Sequence, residues 1–167
     1  MAIRLDDGSS VAIRSIRAAD LDPLRAFFGS LTPATRRLRF HVSVKELPES
    51  LLQDFTSVDH RCHAAFVAEV RDAAQRKAAL VGEARYVRQA GTDAAEVAFV
   101  VAEAWRRLGL GTSLARRLIR RARLAGLRRL FGDVLADNEQ ALRFLRSLGA
   151  QAIAAHDAGT VRLCLDL

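Results

Sequence analysis

The sequence predicts a mixed α/β domain, in which helices flank a central, twisted and mostly antiparallel sheet of about seven strands. Segments with strand periodicity and segments with helix periodicity alternate along the chain, which indicates the mixed class. Three strand segments between residues 64 and 101 are separated only by polar spacers, as in an antiparallel meander. The 167 residues, 50% of them hydrophobic, suffice for one core, so we expect a single domain over residues 1–167.

The first third of the chain is predicted to contain a hairpin and three helices. Apolar alternation on both sides of an Asp-Asp-Gly turn predicts the hairpin and the first strand, over residues 3–5 and 11–16. A helix should begin at Ala18, because apolar residues then recur at helical spacing. Thr32 is a suitable N-cap for a second helix, and Pro33 suits its first position. The remaining segments are a loop over residues 41–47 and a short helix over 48–55.

The middle of the chain is predicted to form the antiparallel meander. Its strands are rich in Val, Ala and Phe and are bounded by polar or turn-forming residues. They cover residues 64–70, 79–87 and 96–101, with a polar spacer over 71–77 and a turn at 91–93.

The last third alternates helices and strands. Leucines recur on one face of a helix that begins near Leu110 and ends near Gly126. A second helix is expected over residues 138–148, with Gly149 as its C-terminal stop. Three further strands complete the sheet, over residues 129–135, 150–155 and 161–165.

Composition excludes some classes of protein and leaves others open. No run of about 18 apolar residues predicts a membrane span, and the first residues lack the apolar region of a signal peptide, so we expect a cytoplasmic protein. Two cysteines fit a reducing compartment. The net charge of +7 comes mostly from arginine. A solvated basic face explains this charge better than a nucleic-acid site, because few aromatic residues are present to stack bases. The basic residues cluster at Arg106, Arg107, Arg116, Arg117, Arg120, Arg121, Arg123, Arg128 and Arg129.

The most informative stretch lies between the strand ending at Val101 and the helix beginning near Leu110. Gly109 and Gly111 allow backbone N–H groups to approach an anion closely. The N-terminus of the following helix directs unpaired amides and a positive dipole to the same place. This arrangement predicts a site for phosphate or pyrophosphate. A P-loop is excluded because no lysine follows Gly111, and a Rossmann loop fits poorly because Leu114 occupies the third small position.

The remaining pattern is Arg/Gln-x-x-Gly-x-Gly/Ala, which Arg106, Gly109 and Gly111 match. With this motif the chain resembles the GNAT superfamily of acyl-CoA-dependent N-acyltransferases. A second element, from Asn138 through Phe144 to Gly149, is similar to the family's Asn-x-x-Ala-x-x-Leu/Phe segment. The resemblance covers nearly the whole chain and implies a GNAT-like fold with acetyl-CoA as co-substrate and no metal.

Residues 31–70 also resemble the corresponding segment of bacterial protein lysine acetyltransferases that modify acyl-CoA synthetases. That likeness implies a protein lysine as the acceptor. A small amine or antibiotic remains an alternative, as do a non-catalytic acyl-CoA sensor and a nucleic-acid-binding module. A homodimer is also left open.

The resemblance implies a set of cofactor-binding residues. Backbone amides of the glycine turn would hold the pyrophosphate, and the preceding strand would pair with the pantetheine arm. Asn138 would contact pantetheine or cap its helix, and Arg143 would approach the adenosine phosphate or lie on the surface. The full set is Phe99, Val100, Val101, Arg106, Arg107, Leu108, Gly109, Leu110, Gly111, Thr112, Asn138 and Arg143.

Acetyl transfer to an amine also needs a proton acceptor, because a free lysine has a pKa near 10.4. Family resemblance favours Glu96 as this base, with Glu83 on the neighbouring strand as the second candidate. The sequence does not rank them, because side chains alternate between the faces of a strand. Glu103 is expected on a loop surface. The tyrosine that often protonates the leaving thiolate is replaced by Leu145, and a backbone N–H at a strand bulge is expected to stabilise the oxyanion.

Overall fold

The computed structural model describes residues 2–71, 78–157 and 159–167, and these residues form one eight-stranded sheet flanked by helices. The mixed class and the largely antiparallel sheet are therefore confirmed. One more strand is present than the expected seven, because the N-terminal hairpin contributes two. Most of the predicted spacer, residues 72–77, lies outside the described residues. The strands are β1 (Ala2–Arg4), β2 (Ser10–Ser15), β3 (His63–Arg71), β4 (Ala78–Arg88), β5 (Ala94–Val101), β6 (Arg129–Leu135), β7 (Gln151–Asp157) and β8 (Thr160–Asp166).

Five α-helices lie in the described residues, together with short 3-10 turns at Ala18–Asp20 and Glu103–Trp105. Local sequence explains where several of them begin and end. The Thr32 hydroxyl accepts a hydrogen bond from the Thr35 amide, as an N-cap does. Gly126 and Gly149 adopt positive φ just beyond the ends of the last two helices. The helices are α1 (Leu21–Ser30), α2 (Pro33–Phe40), α3 (Glu49–Thr56), α4 (Leu110–Leu124) and α5 (Glu139–Ser147).

The core has a layer on each side of the sheet. On one side, the leucines of α4 pack against the central strands, and a Cβ at Gly82 would lie 3.1 Å from Leu114. On the other side, α1 and α3 cover the sheet through a cluster that includes Phe28, Leu52 and Val100. Because side chains alternate along a strand, Phe99 faces the α4 layer while Val100 faces the opposite layer.

The sheet opens in the middle. Its strand order is β1-β2-β3-β4-β5-β6-β8-β7, and β5 and β6 are parallel while the other neighbouring pairs are antiparallel. The pairing of β5 with β6 ends at Glu96 and Phe131, although both strands continue. Gly132 lies at the point of separation, where a Cβ would come within 3.2 Å of the Val97 carbonyl oxygen. Beyond this point the edge of β5 that faces β6 lines a cleft.

Candidate active site

The turn between β5 and α4 has the shape of an anion site. Arg107 and Gly109 both have left-handed φ values, of 61° and 79°. Alternation of left-handed and right-handed residues turns successive N–H groups toward one side, forming a concave nest. No side chain among the described residues caps α4, so the amides of its first turn stay available for a ligand. The helix dipole adds a partial positive charge at the same point.

Polar contacts from distant parts of the chain hold this turn in place. The Arg106 guanidinium donates to the Val101 carbonyl oxygen at 3.0 Å and to the Thr35 hydroxyl at 2.6 Å. Glu103 accepts hydrogen bonds of 2.6 Å from the hydroxyls of Thr32 and Thr35. Partial burial raises the pKa of Glu103, but these hydrogen bonds outweigh it and lower that pKa to about 2. The predicted surface glutamate is therefore an anchor between α2 and the turn.

A first cavity of about 290 Å³ runs from this turn along the free edge of β5. Phe99 and Phe144 meet edge to face across it, with ring centroids 5.8 Å apart. A Cβ at Gly111 would lie 3.6 Å from Phe144, so β5, α4 and α5 converge here. An elongated ligand with an anionic end would fit this cavity, with its anion at the turn.

A second cavity of about 270 Å³ continues from the first and is more acidic. It is lined by Glu96, which is exposed and forms no hydrogen bond or ion pair with the described residues. Asp133 also lines it and accepts two hydrogen bonds from Arg162, at 2.6 and 2.8 Å. The two cavities share Leu38, Arg39, Phe99, Asn138, Ala141 and Phe144.

Glu83 occupies a different environment from Glu96, although both lie on the same face of the sheet. Glu83 pairs in register with Val100, four residues along β5 from Glu96, a separation of about 13 Å. Its side chain is fully buried, is ion-paired with Arg85, and lies 3.7 Å from the guanidinium of Arg39. Glu83 lines neither of the two cavities of the cleft.

The buried cluster around Glu83 carries one more positive charge than negative. Arg85 also contacts the Nε2 atom of His63 at 3.0 Å and stacks 3.6 Å from the ring centroid of Phe55. Burial lowers the pKa of Arg39, and the like charge of Arg85 adds to this effect, while Glu83 opposes it. Burial, followed by the charge of Arg85, also lowers the pKa of His63. A histidine ring in contact with a guanidinium is poorly suited to bind a metal ion.

The other predicted site residues lie at different distances from the cleft. Asn138 lines both cavities and its side-chain oxygen also caps α5, accepting from the Ala141 amide at 3.1 Å, so the two suggested roles are compatible. Leu110 is buried in the core and Leu108 packs against it, so only their backbone groups are available to a ligand. Arg143 lines neither cavity and pairs with Glu139 on the surface of α5, at 2.9 Å. The predicted residues that line the first cavity are Phe99, Val100, Val101, Arg106, Arg107, Gly109, Gly111, Thr112 and Asn138.

The single tyrosine lies away from the cleft, and β5 has a regular register with β4. Tyr86, the single tyrosine, is buried on the α4 side, and its hydroxyl donates to the Arg61 carbonyl oxygen, so it does not reach the cleft. A backbone N–H at a strand bulge is the expected donor to the oxyanion, and β5, which lines the cleft, pairs with β4 without a register shift. The register shifts in the described sheet lie elsewhere: between Ala68 and Glu69, where β3 pairs with β4, and along β7, where it pairs with β8.

The basic segment is only partly committed to internal contacts. Arg106 contacts β5 and α2, and Arg121 donates to the His60 carbonyl oxygen. Arg128 and Arg129 pair with Asp93 and Asp166 near the surface. The arginines on the outer face of α4 are at least partly exposed, as expected for a solvated face. Within the part of the chain that the structure describes, no helix has the length and apolarity needed to cross a lipid bilayer.

Comparisons with known proteins agree with this geometry. The family model described as the acetyltransferase (GNAT) family matches residues 30–150. An acetyltransferase of Pseudomonas aeruginosa is 36% identical over 134 residues, which is 80% of this chain and 71% of that protein. The crystal structure of the GNAT domain of S. lividans PAT superposes with a TM-score of 0.91 at 25% identity, covering 100% of this chain and 96% of that one. A cAMP-binding acyltransferase from Mycobacterium smegmatis shares the fold, with a TM-score of 0.66 at 24% identity. That match covers 99% of this chain and 46% of the other.

Proposed function

Because the chain belongs to the acetyltransferase (GNAT) family, we propose that it transfers the acetyl group of acetyl-CoA to the side-chain amine of a protein lysine. The family establishes an acyl-CoA-dependent N-acetyltransferase whose acceptor is an amine. We propose, beyond this, the acceptor, the reaction path and the roles of individual residues. The observation that carries it is the exposed carboxylate of Glu96 in the cavity that continues from the anion-binding turn.

Coenzyme A would enter through the first cavity. Its pyrophosphate would accept hydrogen bonds from the amides of the turn, from Arg107 to Thr112, at the N-terminus of α4. The pantetheine arm would run along the free edge of β5, where Phe99, Val100 and Val101 have no partner strand on the β6 side. The unpaired strand edge supports this path, because a pantetheine amide can add to it as another strand would.

The acceptor would reach the thioester through the second cavity. Two carboxylates, of Glu96 and Asp133, line it against the one guanidinium of Arg39, and the carboxylate of Glu96, which is exposed, suits a cationic lysine side chain. Of the two candidate bases, exposure supports Glu96, because a base must pass its proton to solvent after each turnover. Glu83 has no such path and is held in an ion pair.

The reaction would proceed by direct attack within a ternary complex. The lysine ammonium first loses one proton to solvent, and Glu96, directly or through a water molecule, accepts a second proton from the nitrogen as the neutral amine attacks the thioester carbon. A C–N bond forms, the carbonyl oxygen becomes an oxyanion, and its collapse breaks the C–S bond. The electron pair leaves with the thiolate of coenzyme A. The thiolate is a good leaving group, consistent with the absence of a tyrosine from the residues that line the cleft.

The decisive experiment compares Glu96→Gln with Glu139→Gln. Glu139 is a surface glutamate that pairs with Arg143 and lines neither cavity, so it provides a matched control. Mass spectrometry of acetylated lysines in a lysate measures transfer, and calorimetry measures coenzyme A affinity. We expect Glu96→Gln to lose at least about 100-fold in transfer rate while keeping its affinity for coenzyme A.

Three outcomes would count against parts of the proposal. Full activity in Glu96→Gln, or an equal loss in Glu139→Gln, would exclude Glu96 as the base. Acetylation of free amines, with no acetylation of protein lysines, would show that the acceptor is a small molecule. Lack of binding of coenzyme A to the wild-type protein would overturn the placement of the cofactor.

A further inference from the structure

Arg39 lies where the two cavities meet. Among the six residues that line both cavities, only Arg39 and Asn138 have polar side chains. The side-chain oxygen of Asn138 already accepts a hydrogen bond from the first turn of α5. Arg39 is therefore the one charged group shared by the cofactor cavity and the acceptor cavity among the described residues. The junction is also where a thioester at the end of a pantetheine arm would meet an incoming amine.

The environment of Arg39 leaves part of its guanidinium without a partner. Nine-tenths of the side chain is buried, and the guanidinium lies over the rings of Phe40 and Phe55 at 4.9 and 5.7 Å. Its nearest carboxylate, Glu83, is 3.7 Å away and is already paired with Arg85. The Nε atom of Arg39 is buried without a hydrogen-bond acceptor among the described residues.

A buried guanidinium with an incomplete set of partners is unfavourable in the free protein. Such an arrangement is typical of a site in which a ligand, or charge that develops during a reaction, supplies the missing acceptor. The group that develops negative charge at this junction is the carbonyl oxygen of the thioester. The backbone of β5 has no bulge in its pairing with β4, which is in regular register, and the amides of its free edge are those proposed to pair with the pantetheine arm.

We propose that the guanidinium of Arg39 stabilises negative charge on the acyl oxygen during acetyl transfer, which makes Arg39 a further catalytic residue. This inference rests on the proposed placement of coenzyme A in the first cavity. As the amine attacks, the carbonyl π electrons move onto oxygen, and a cation fixed in a largely buried site favours that charge without reorganising. When the oxyanion collapses, the C=O bond reforms and the electron pair of the C–S bond leaves with sulfur. Arg39 stays protonated throughout.

A binding experiment tests this electrostatic role without requiring turnover. S-carboxymethyl-CoA and S-carbamidomethyl-CoA have almost the same shape, but only the former has an anionic oxygen, one bond farther from sulfur than the acyl oxygen of acetyl-CoA. We expect the wild-type protein to bind the carboxymethyl compound at least about tenfold more tightly, as a charge-assisted hydrogen bond to a buried guanidinium would produce. Arg39→Gln should bind the two compounds equally.

Arg85→Gln is the matched control for this experiment. Arg85 is also buried and pairs with the same carboxylate, but it lines neither cavity. It should keep the preference for the charged compound, and Arg85→Lys serves the same purpose if the glutamine variant does not fold. A merely structural cluster predicts equal effects of the Arg39 and Arg85 substitutions.

Steady-state kinetics with acetyl-CoA and a lysine peptide provides the second readout. Arg39→Gln should lower kcat by about 100-fold or more with little change in the KM for acetyl-CoA, and Arg39→Lys should recover part of the loss. Equal binding of the two analogues by the wild-type protein, or unchanged kcat in Arg39→Gln, would exclude the proposed role of Arg39 alone. Failure of both analogues to bind at all would instead contradict the cofactor site and, with it, this inference.

Discussion

Replacement of Glu83 by glutamine should destabilise the fold strongly, whereas the same replacement at Glu96 should have almost no effect on stability. The carboxylate of Glu83 faces the guanidinium groups of both Arg39 and Arg85, and its side chain is 0% exposed. The side chains of Arg39 and Arg85 are 10% and 4% exposed. Loss of the carboxylate charge leaves two guanidinium groups close together with little access to water.

The expected size of the effect follows from this geometry. Removal of one partner from a buried ion pair costs about 3–5 kcal/mol, because the other charge stays buried without compensation. Glutamine keeps an acceptor oxygen for Arg85, and one such hydrogen bond contributes about 1 kcal/mol. We therefore expect the free energy of unfolding to fall by about 3 kcal/mol in Glu83→Gln. Glu96 is exposed, so Glu96→Gln should change that free energy by no more than about 0.5 kcal/mol.

Urea-induced unfolding at pH 7, followed by circular dichroism, measures both values under the same conditions. Glu96→Gln is the matched control, because the chemical change is identical and the strand is adjacent. A loss of less than about 1 kcal/mol in Glu83→Gln would refute the argument that Glu83 is a structural counter-ion. A comparable loss in Glu96→Gln would show that Glu96 also has a structural role.

Three further predictions concern the anchors of the candidate site. Gly109→Ala should lower the free energy of unfolding by about 1–2 kcal/mol and weaken coenzyme A binding, because residue 109 has a φ of 79°. Gly29→Ala is the control for urea unfolding and calorimetry, because Gly29 has no positive φ, a Cβ there meets nothing within 4 Å, and Gly29 lines neither cavity of the cleft. Equal losses in the two variants would contradict this reasoning. Glu103→Gln should lower the free energy of unfolding by about 1 kcal/mol at pH 7. The pKa of Glu103 is about 2 in the folded state, against an ordinary value of 4.5. The difference in free energy of unfolding between wild type and Glu103→Gln should therefore shrink as the pH falls from 4.5 to 2. If urea titrations show a constant difference over that range, the hydrogen-bonded carboxylate is excluded. Asn138→Ala should lower the free energy of unfolding by about 1 kcal/mol, because the side-chain cap of α5 is lost. Asn138→Asp keeps an acceptor at this position and should not lower it. Thermal unfolding of the two variants tests this difference.

Local features of the fold could be predicted from the sequence. The strand over residues 129–135 and the helix behind the Asn138 cap agree with the structure to within a residue at most boundaries. Residues close in sequence determine these features: β-branched and aromatic alternation, an N-cap and a glycine stop. The glycine turn belongs to the same class, because the positive φ of Gly109 and the N-terminus of α4 depend on neighbouring residues.

The parts of the site that could not be predicted depend on contacts between distant residues. Arg39 and Glu83 are 44 positions apart in the sequence, and nothing local to either indicates their proximity. The register of β4 against β5 decides that Glu83 faces the covered side of the sheet opposite Val100. A shift by one residue would have moved Glu83 to the α4 face. The link from Glu103 to Thr32 and Thr35 likewise requires the folded arrangement of α2 against the turn.

Glu83 and Glu96 lie on the same face of the sheet, but this face is covered at Glu83 and open at Glu96. Around Glu83, the guanidinium groups of Arg39 and Arg85 and the ring of Phe55 exclude water. Glu83 is fully buried and lines neither cavity of the cleft, so it reaches neither an incoming amine nor water. At Glu96, β6 separates from β5 and the face is open. A carboxylate there can take a proton from an amine and release it to water. In the proposed mechanism, the separation of the strands provides the space for the acyl carrier and also exposes one of the two glutamates, so that it can act as the base.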